Sequence, residues 1–210
     1  MSDWAYYFAL FATVHFLWPG VVQADEHRIG AFSPFMQVHG YAKPPVGHMH
    51  FCNRNPQECQ AGPVNNSRIQ LTPSLWSDLE QINYIVNRTV APRSDHELYG
   101  LSEHWTFPYR SGDCEDYVLL KRRMLLERGW PKSALLITVV RDETRGHAVL
   151  IARTSRGDYL LDNKRNTVVA WYDAPYQYLK RQSYRHPRRW VSLVPKNKKK
   201  GFSTGGTTRR

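Results

Sequence analysis

Four short β-rich runs follow one another late in the chain, and they constrain its fold more than any other feature. SALLITVV, GHAVLIAR, GDYLLDN and TVVAWYD are joined through short turn segments at DETR, TSRG and NKRN. Connections that short join neighbouring antiparallel strands, so the runs predict a meandering antiparallel sheet. Two helical segments precede it. Thr72-Pro73 has the form of a helix start, and Leu75, Leu79, Ile82 and Val86 then recur at helical spacing, predicting a helix to about Arg88. A second helix opens inside RSGDCEDYVLLKRRMLLERGW, with Asp113 at the N-cap, acidic residues in the first turn, and Gly129 and Pro131 ending it. Val118, Leu125 and Cys114 share one side of this helix, with Tyr117, Leu120 and Met124 adjacent, so that side is expected to be buried. Helices followed by a run of strands give an α+β fold in which the Cys114 helix packs on an antiparallel sheet.

With 210 residues, 41% of them apolar, the chain can bury a substantial core, and no mature segment is long and apolar enough to span a membrane. The longest apolar stretch, WAYYFALFATVHFLWPGVVQA, ends in Val22-Gln23-Ala24 before Asp25 and Glu26. It reads as the apolar region of a signal peptide with cleavage after Ala24, although no Lys or Arg precedes it. A core strand or helix rich in aromatics is the alternative. Residues 25–71, rich in Gly, Pro and polar residues, read as an irregular lead-in, and VAPRSDHELYGLSEHWTFPYRSG reads as a loop with room for a short helical turn.

The formal charge of +11 is unevenly spread, because KNKKKGFSTGGTTRR carries six basic residues and no acidic one. That tail is low in apolar residues and reads as disordered. No basic helix with interleaved aromatics accompanies it, so nucleic acid is not an expected partner.

Three cysteines are present. Cys52 and Cys59, in FCNRNPQECQ, can close a small disulfide in an oxidising compartment, which leaves Cys114 as the odd thiol. Three single pairings are possible, and a zinc half-site is the competing reading of the close pair.

Cys114 stands at a helix start, His147 opens a strand 33 residues later, and Asp162 ends the next strand after 15 more. Antiparallel pairing of those two strands brings His147 and Asp162 together, and the helix packed on them can deliver Cys114. A thiol beside an imidazole that is held by a carboxylate is the arrangement of nucleophilic cysteine catalysis. Taken singly, Cys114 is an ordinary core residue, His147 a strand-end histidine and Asp162 a turn starter; one topology joining all three favours the chemical reading. In that reading the Cys114 N–H is one oxyanion donor, and an upstream amide, Asn87, is the candidate for the second. The carboxylates around the thiol, Asp113, Glu115 and Asp116, oppose a thiolate unless a cation or the helix dipole offsets them.

GDCEDYVLLKRRMLLERGWP, followed by SALLITVVRDETRGHAVLIARTSRGDYLLDN, resembles the bacterial transglutaminase-like cysteine proteinases, and FCNRNPQEC resembles a rhizobial-type subgroup of them. The likeness runs over roughly residues 40–195. It implies a papain-like, transglutaminase-type core with a Cys-His-Asp triad, at positions that fall here on Cys114, His147 and Asp162. The best understood relatives are periplasmic, calcium-dependent endopeptidases that clip large surface adhesins and so govern biofilm release. In them acidic residues flanking the nucleophile bind calcium, which matches Asp113 and Glu115, with Asp116 as a further candidate. Oxygen-only ligands suit that hard cation, and the competing reading makes these residues first-turn acids that favour the helix dipole.

The expected organisation is therefore a signal peptide over 1–24, a transglutaminase-like cysteine peptidase domain over 25–195, and a basic tail over 196–210. The expected function is that of a periplasmic or secreted thiol endopeptidase acting on protein, with a surface adhesin as one candidate substrate and calcium as its cofactor. A non-catalytic peptide- or cell-wall-binding protein, a transglutaminase and a cell-wall amidase are the alternatives.

Overall fold

The meander is present and forms one side of a larger sheet, running from its centre to one edge. The computed structural model describes residues 33–62 and 68–195, so the expected signal peptide and basic tail lie outside the described residues. In chain order the elements are β1 (Tyr41–Ala42), α1 (Val46–Arg54), α2 (Pro73–Thr89), β2 (Ala91–Pro92), α3 (Asp95–Tyr99), β3 (Ser111–Gly112) and α4 (Cys114–Glu127). The strands β4 (Leu135–Arg141), β5 (Gly146–Thr154), β6 (Gly157–Asp162), β7 (Arg165–Ala170), β8 (Gln177–Ser183) and β9 (His186–Ser192) complete them. Seven strands form one sheet in the order β1-β9-β8-β4-β5-β6-β7, every pair antiparallel, while β2 and β3 make a separate two-residue parallel pair.

The β5–β6 turn sets the register that matters. Thr154 pairs with Gly157 and Leu150 with Leu161, which brings the start of β5 beside the end of β6. A register shift between Leu160 and Asp162 then bends the end of β6, and Asp162 pairs with Arg165 of β7.

Both faces of the sheet are covered. Leu79, Ile82 and Val86 of α2 and Tyr117, Val118 and Leu125 of α4 join Ile137, Ala148, Leu150 and Leu161 in one core. Val140, Val149, Ile151 and Leu160 form a second, closed by Met36, Ala174 and Leu193. The β7–β8 connection supplies Ala174 to that second face, so the chain crosses the sheet there on its way from β7 to the far side of β4.

α2 begins as expected, with Thr72 Oγ1 accepting from Leu75 N at 3.2 Å and Pro73 at the first helical position. α4 begins at the expected residue by a different device. Asp113 is its N-cap residue, yet the carboxylate makes no capping bond and accepts from Asp95 N instead.

Two expectations are corrected. The lead-in is not irregular throughout, because it contains α1 and a 3₁₀ turn over Pro56–Cys59, and the Cys52–Cys59 disulfide joins the two. Helix α1 has only Phe51 and Cys52 as strongly apolar buried positions, beside Gly47 and His48, too few to register as a periodic face. The last β-rich run ends at Ala170, with Trp171–Asp173 a 3₁₀ turn, and two further strands follow it. β8 and β9 escape a reading by hydrophobic alternation because Arg181 and Gln182 occupy buried positions and β9 carries Pro187, Arg188 and Arg189.

Candidate active site

β5 and β6 place an imidazole and a carboxylate in contact. His147 Nε2 lies 2.8 Å from Asp162 Oδ1, and both residues are buried. The carboxylate is held on every side: Oδ1 also accepts from Lys164 N at 3.1 Å, and Oδ2 accepts from the Tyr176 hydroxyl at 2.6 Å. Burial raises the pKa of Asp162, but the bonds from His147 and Tyr176 outweigh it and leave the group below the ordinary carboxylate value. An anionic Asp162 fixes the Nε2–H tautomer of neutral His147 and leaves Nδ1 as the basic nitrogen.

The backbone beneath Asp162 is also pinned. Asn83 Oδ1 accepts from Asp162 N at 3.1 Å and from Lys121 Nζ at 2.8 Å, while its Nδ2 donates to the carbonyls of Arg165 and Asn166. Lys121 is fully buried, and desolvation lowers its pKa to about 7 against the attraction of Asp162. Asn87 Nδ2 donates to the carbonyls of Asp162 and Arg165, both at 2.9 Å, and Asn87 does not line the cleft described below. Its amide is spent on the β6–β7 turn, which corrects the expectation that it faces a reacting carbonyl.

Cys114 is the first residue of α4 and the free thiol among the described residues. Its Sγ donates to Glu115 Oε2 at 3.1 Å, and the amide of Ala148 lies against the sulfur. Burial, followed by the charge of Glu115, pushes the thiol pKa well above its ordinary value. Cys114, Glu115, His147 and Ala148 line one cleft of about 1040 Å³. Its walls come from Pro45 and Gly47 at the start of α1, from Pro92, Arg93 and Ser94, from Trp105, and from Asn163 and Lys164 after β6. The disulfide and an Arg188 bond to the Cys52 carbonyl (2.8 Å) hold the α1 wall, and Arg54 reaches from it to the Trp105 carbonyl (2.8 Å).

Behind the thiol lies a carboxylate cluster that the sequence reading resolved only in part. One oxygen each from Asp95, Asp113 and Asp116 falls within 4.8 Å of the others, and Asp113 belongs as well to a group with Cys114 and Glu115. The sequence puts Asp95 in a loop with room for a short helical turn, and that turn is present. Asp95 is the buried first residue of α3, fixed by a Ser94–Glu97 capping box, and it accepts the His104 N–H. The Ser-x-x-Glu pattern is visible in the sequence, but it predicts a helix start and says nothing of a partnership with α4.

Three buried carboxylate oxygens of this cluster, Asp95 Oδ1, Asp113 Oδ1 and Asp116 Oδ2, have no hydrogen-bond partner. Burial raises the pKa of Asp116 to about 7 and of Glu115 to about 9, with Asp113 adding repulsion in both cases. Gly112 keeps the space open, since a Cβ there would collide with Asp116 Oδ2. Clustered, desolvated and unsatisfied oxygens on a preformed cradle fit an oxygen-preferring divalent cation.

A helix that begins with a thiol, packed on an antiparallel sheet that carries a His–Asp pair, makes a transglutaminase-like α+β fold. Comparison with known families makes the class specific: residues 38–198 match the family of bacterial transglutaminase-like cysteine proteinases, and the chain belongs to it. Among solved structures, calcium-bound LapG of Legionella pneumophila aligns with a TM-score of 0.50 and 21% identity over 60% of this chain and 73% of LapG. A second LapG structure aligns at a TM-score of 0.44 with 24% identity over 53% and 65% of the two chains, and an EGTA-treated one at 0.44 with 24% over 50% and 61%. A search of curated proteins found no match.

Proposed function

We propose that the protein is a thiol endopeptidase with Cys114 as nucleophile, His147 as general base and Asp162 as the group that orients His147. The His147 Nε2–Asp162 Oδ1 bond at 2.8 Å, made by a histidine that lines the same cleft as Cys114, carries this reading. Cys114 Sγ gives its proton to His147 Nδ1 and attacks the peptide carbonyl, forming the S–C bond. The first N–H of α4, which helix geometry leaves without an intrahelical partner, donates to the oxyanion. His147 then returns the proton to the departing amine, and a thioester remains. Water attacks the thioester after losing its proton to His147, and the thiol takes the proton back as the acid leaves.

Calcium is the proposed cofactor, held by Asp95, Asp113 and Asp116 with Glu115 at the edge of the site. The orphaned oxygens of the cluster and the Gly112 cradle support it, and calcium is what the aligned LapG structure holds. When bound, the ion supplies positive charge that offsets the carboxylate field around the Cys114 thiol. The disulfide supports an oxidising compartment, and among the described residues no helix is long and apolar enough to cross a membrane. Export to the periplasm or medium, with a protein such as a surface adhesin as substrate, completes the proposal.

The test uses unfolded casein and peptidoglycan side by side, with calcium present. Cleavage of casein by the wild type and its loss in both Cys114→Ala and His147→Ala, with the melting temperature kept, supports the reading. Retained cleavage in Cys114→Ala overturns it, and solubilised peptidoglycan with intact casein moves the activity to an amidase. Casein cross-linked rather than cut points to transamidation, and binding without turnover by the wild type to a non-catalytic module.

A further inference from the structure

Tyr176 is joined to both members of the His147–Asp162 pair, although no sequence pattern marks it. Its hydroxyl donates to Asp162 Oδ2 at 2.6 Å, the oxygen that His147 does not use. Its ring lies against the His147 imidazole, with centroids 5.7 Å apart and planes at 53°. The residue arrives on the β7–β8 connection, the segment that crosses the second face of the sheet and buries Ala174 there, and a turn bond from Tyr176 N to Ala174 O at 2.8 Å sets its direction. The phenol is half-buried, and burial followed by the bond to Asp162 raises its pKa, which keeps it protonated as a donor.

A carboxylate at the end of a strand can rotate about its Cβ–Cγ bond and present either oxygen, or neither, to an imidazole. Lys164 N bonds the same oxygen that faces His147, so it adds no second point to fix the plane of the carboxylate. The Tyr176 bond occupies the other oxygen and removes that freedom. Arg165 and Asp142 are the charged groups whose fields also reach the phenol, with opposite sign.

We infer that Tyr176 is a positioning residue that locks the Asp162 carboxylate and, through it, the Nε2–H tautomer of His147. The inference rests on the proposed triad for its kinetic consequence, though not for its structural one.

The experiment compares wild type, Tyr176→Phe and Tyr176→Ala as calcium-loaded full chains labelled with ¹⁵N in histidine. Imidazole ¹⁵N shifts report the tautomer of His147, assigned by its disappearance in His147→Ala. The wild type is expected to hold neutral His147 as Nε2–H, and both variants to show averaged shifts from a mixture of tautomers. On casein, kcat is expected to fall on the order of tenfold or more in Tyr176→Phe with KM little changed, as misorientation of a catalytic group predicts. The phenylalanine variant keeps the ring and its packing, so wild-type shifts in Tyr176→Phe would overturn the inference whatever happens in Tyr176→Ala. Averaged shifts together with wild-type kcat would instead overturn the role of His147 as base, leaving the locking of the pair intact.

Discussion

The backbone N–H of Asp95 donates to Asp113 Oδ2 at 3.3 Å, fastening the first residue of α3 to the N-cap residue of α4. The two stand eighteen positions apart in the chain, and the bond gathers their carboxylates and that of Asp116 behind the thiol. Proximity of three acids without a cation is unfavourable, so a cation that binds the folded form should stabilise it. Calcium at about 100 times its dissociation constant contributes about 2.7 kcal/mol, a rise in melting temperature of roughly 5–10 °C for a domain of this size. Asp95→Asn keeps an acceptor for the His104 N–H while removing a charge. Its melting temperature should equal or exceed that of wild type in EGTA, and calcium should raise it far less.

Replacing Asp162 with Asn should damage chemistry more than fold. The amide is nearly isosteric, but its NH₂ group can no longer accept from both His147 and Tyr176. The wrong imidazole tautomer should lower kcat by on the order of 10³–10⁴. Loss of one buried charge-assisted bond should also lower stability by about 1–3 kcal/mol. Steady-state kinetics and urea denaturation of the same preparation separate the two effects.

Lys121 gives the fold a pH dependence of known sign. Its folded pKa, about 7, lies below the ordinary 10.5, so between those values the unfolded chain binds more protons than the folded one. The contribution of this lysine to stability therefore rises as pH increases from about 7 toward 10, and the cost of burying the ammonium is borne in full below about 7. Lys121→Met should raise the melting temperature relative to wild type at pH 6 and show progressively less advantage toward pH 10. A pH-independent difference between the two proteins would mean that the lysine keeps its charge in the folded state.

The disulfide closes a small loop, so reduction should cost only about 2–3 kcal/mol by chain entropy. Its position predicts a functional effect out of proportion to that figure, because α1 walls the cleft. Cys52→Ala with Cys59→Ala should keep most of the melting temperature of the wild type in oxidising buffer and lose cleavage through a raised KM. Limited proteolysis at residues 46–60 locates the loosened segment.

The sheet was legible because Leu150, Leu161 and their neighbours lie in uninterrupted apolar runs with two- to four-residue turns between them, and the same turns put His147 beside Asp162. The carboxylate cluster was legible only where its members are adjacent in the chain. Asp113 and Asp116 stand one helical turn apart, whereas Asp95 joins them through a loop whose course local pattern does not specify. Asn87 misled because an amide upstream of the nucleophile looks like a donor, and only the folded chain shows it spent on the carbonyls of Asp162 and Arg165. Tyr176 was invisible for a related reason, since a crossing segment carries no period and its destination is set by the sheet beneath it.

The crossing between β7 and β8 also bears on the order in which the molecule comes into being. Cys114 and His147 precede it in the chain, but the strand that flanks β4 on its other side follows it. A chain truncated before Tyr176 has neither that flank nor the Tyr176 bond to Asp162. If the proposed triad is right, competence thus comes last, and copies still folding beside one another would be poor catalysts that pose little danger to their neighbours.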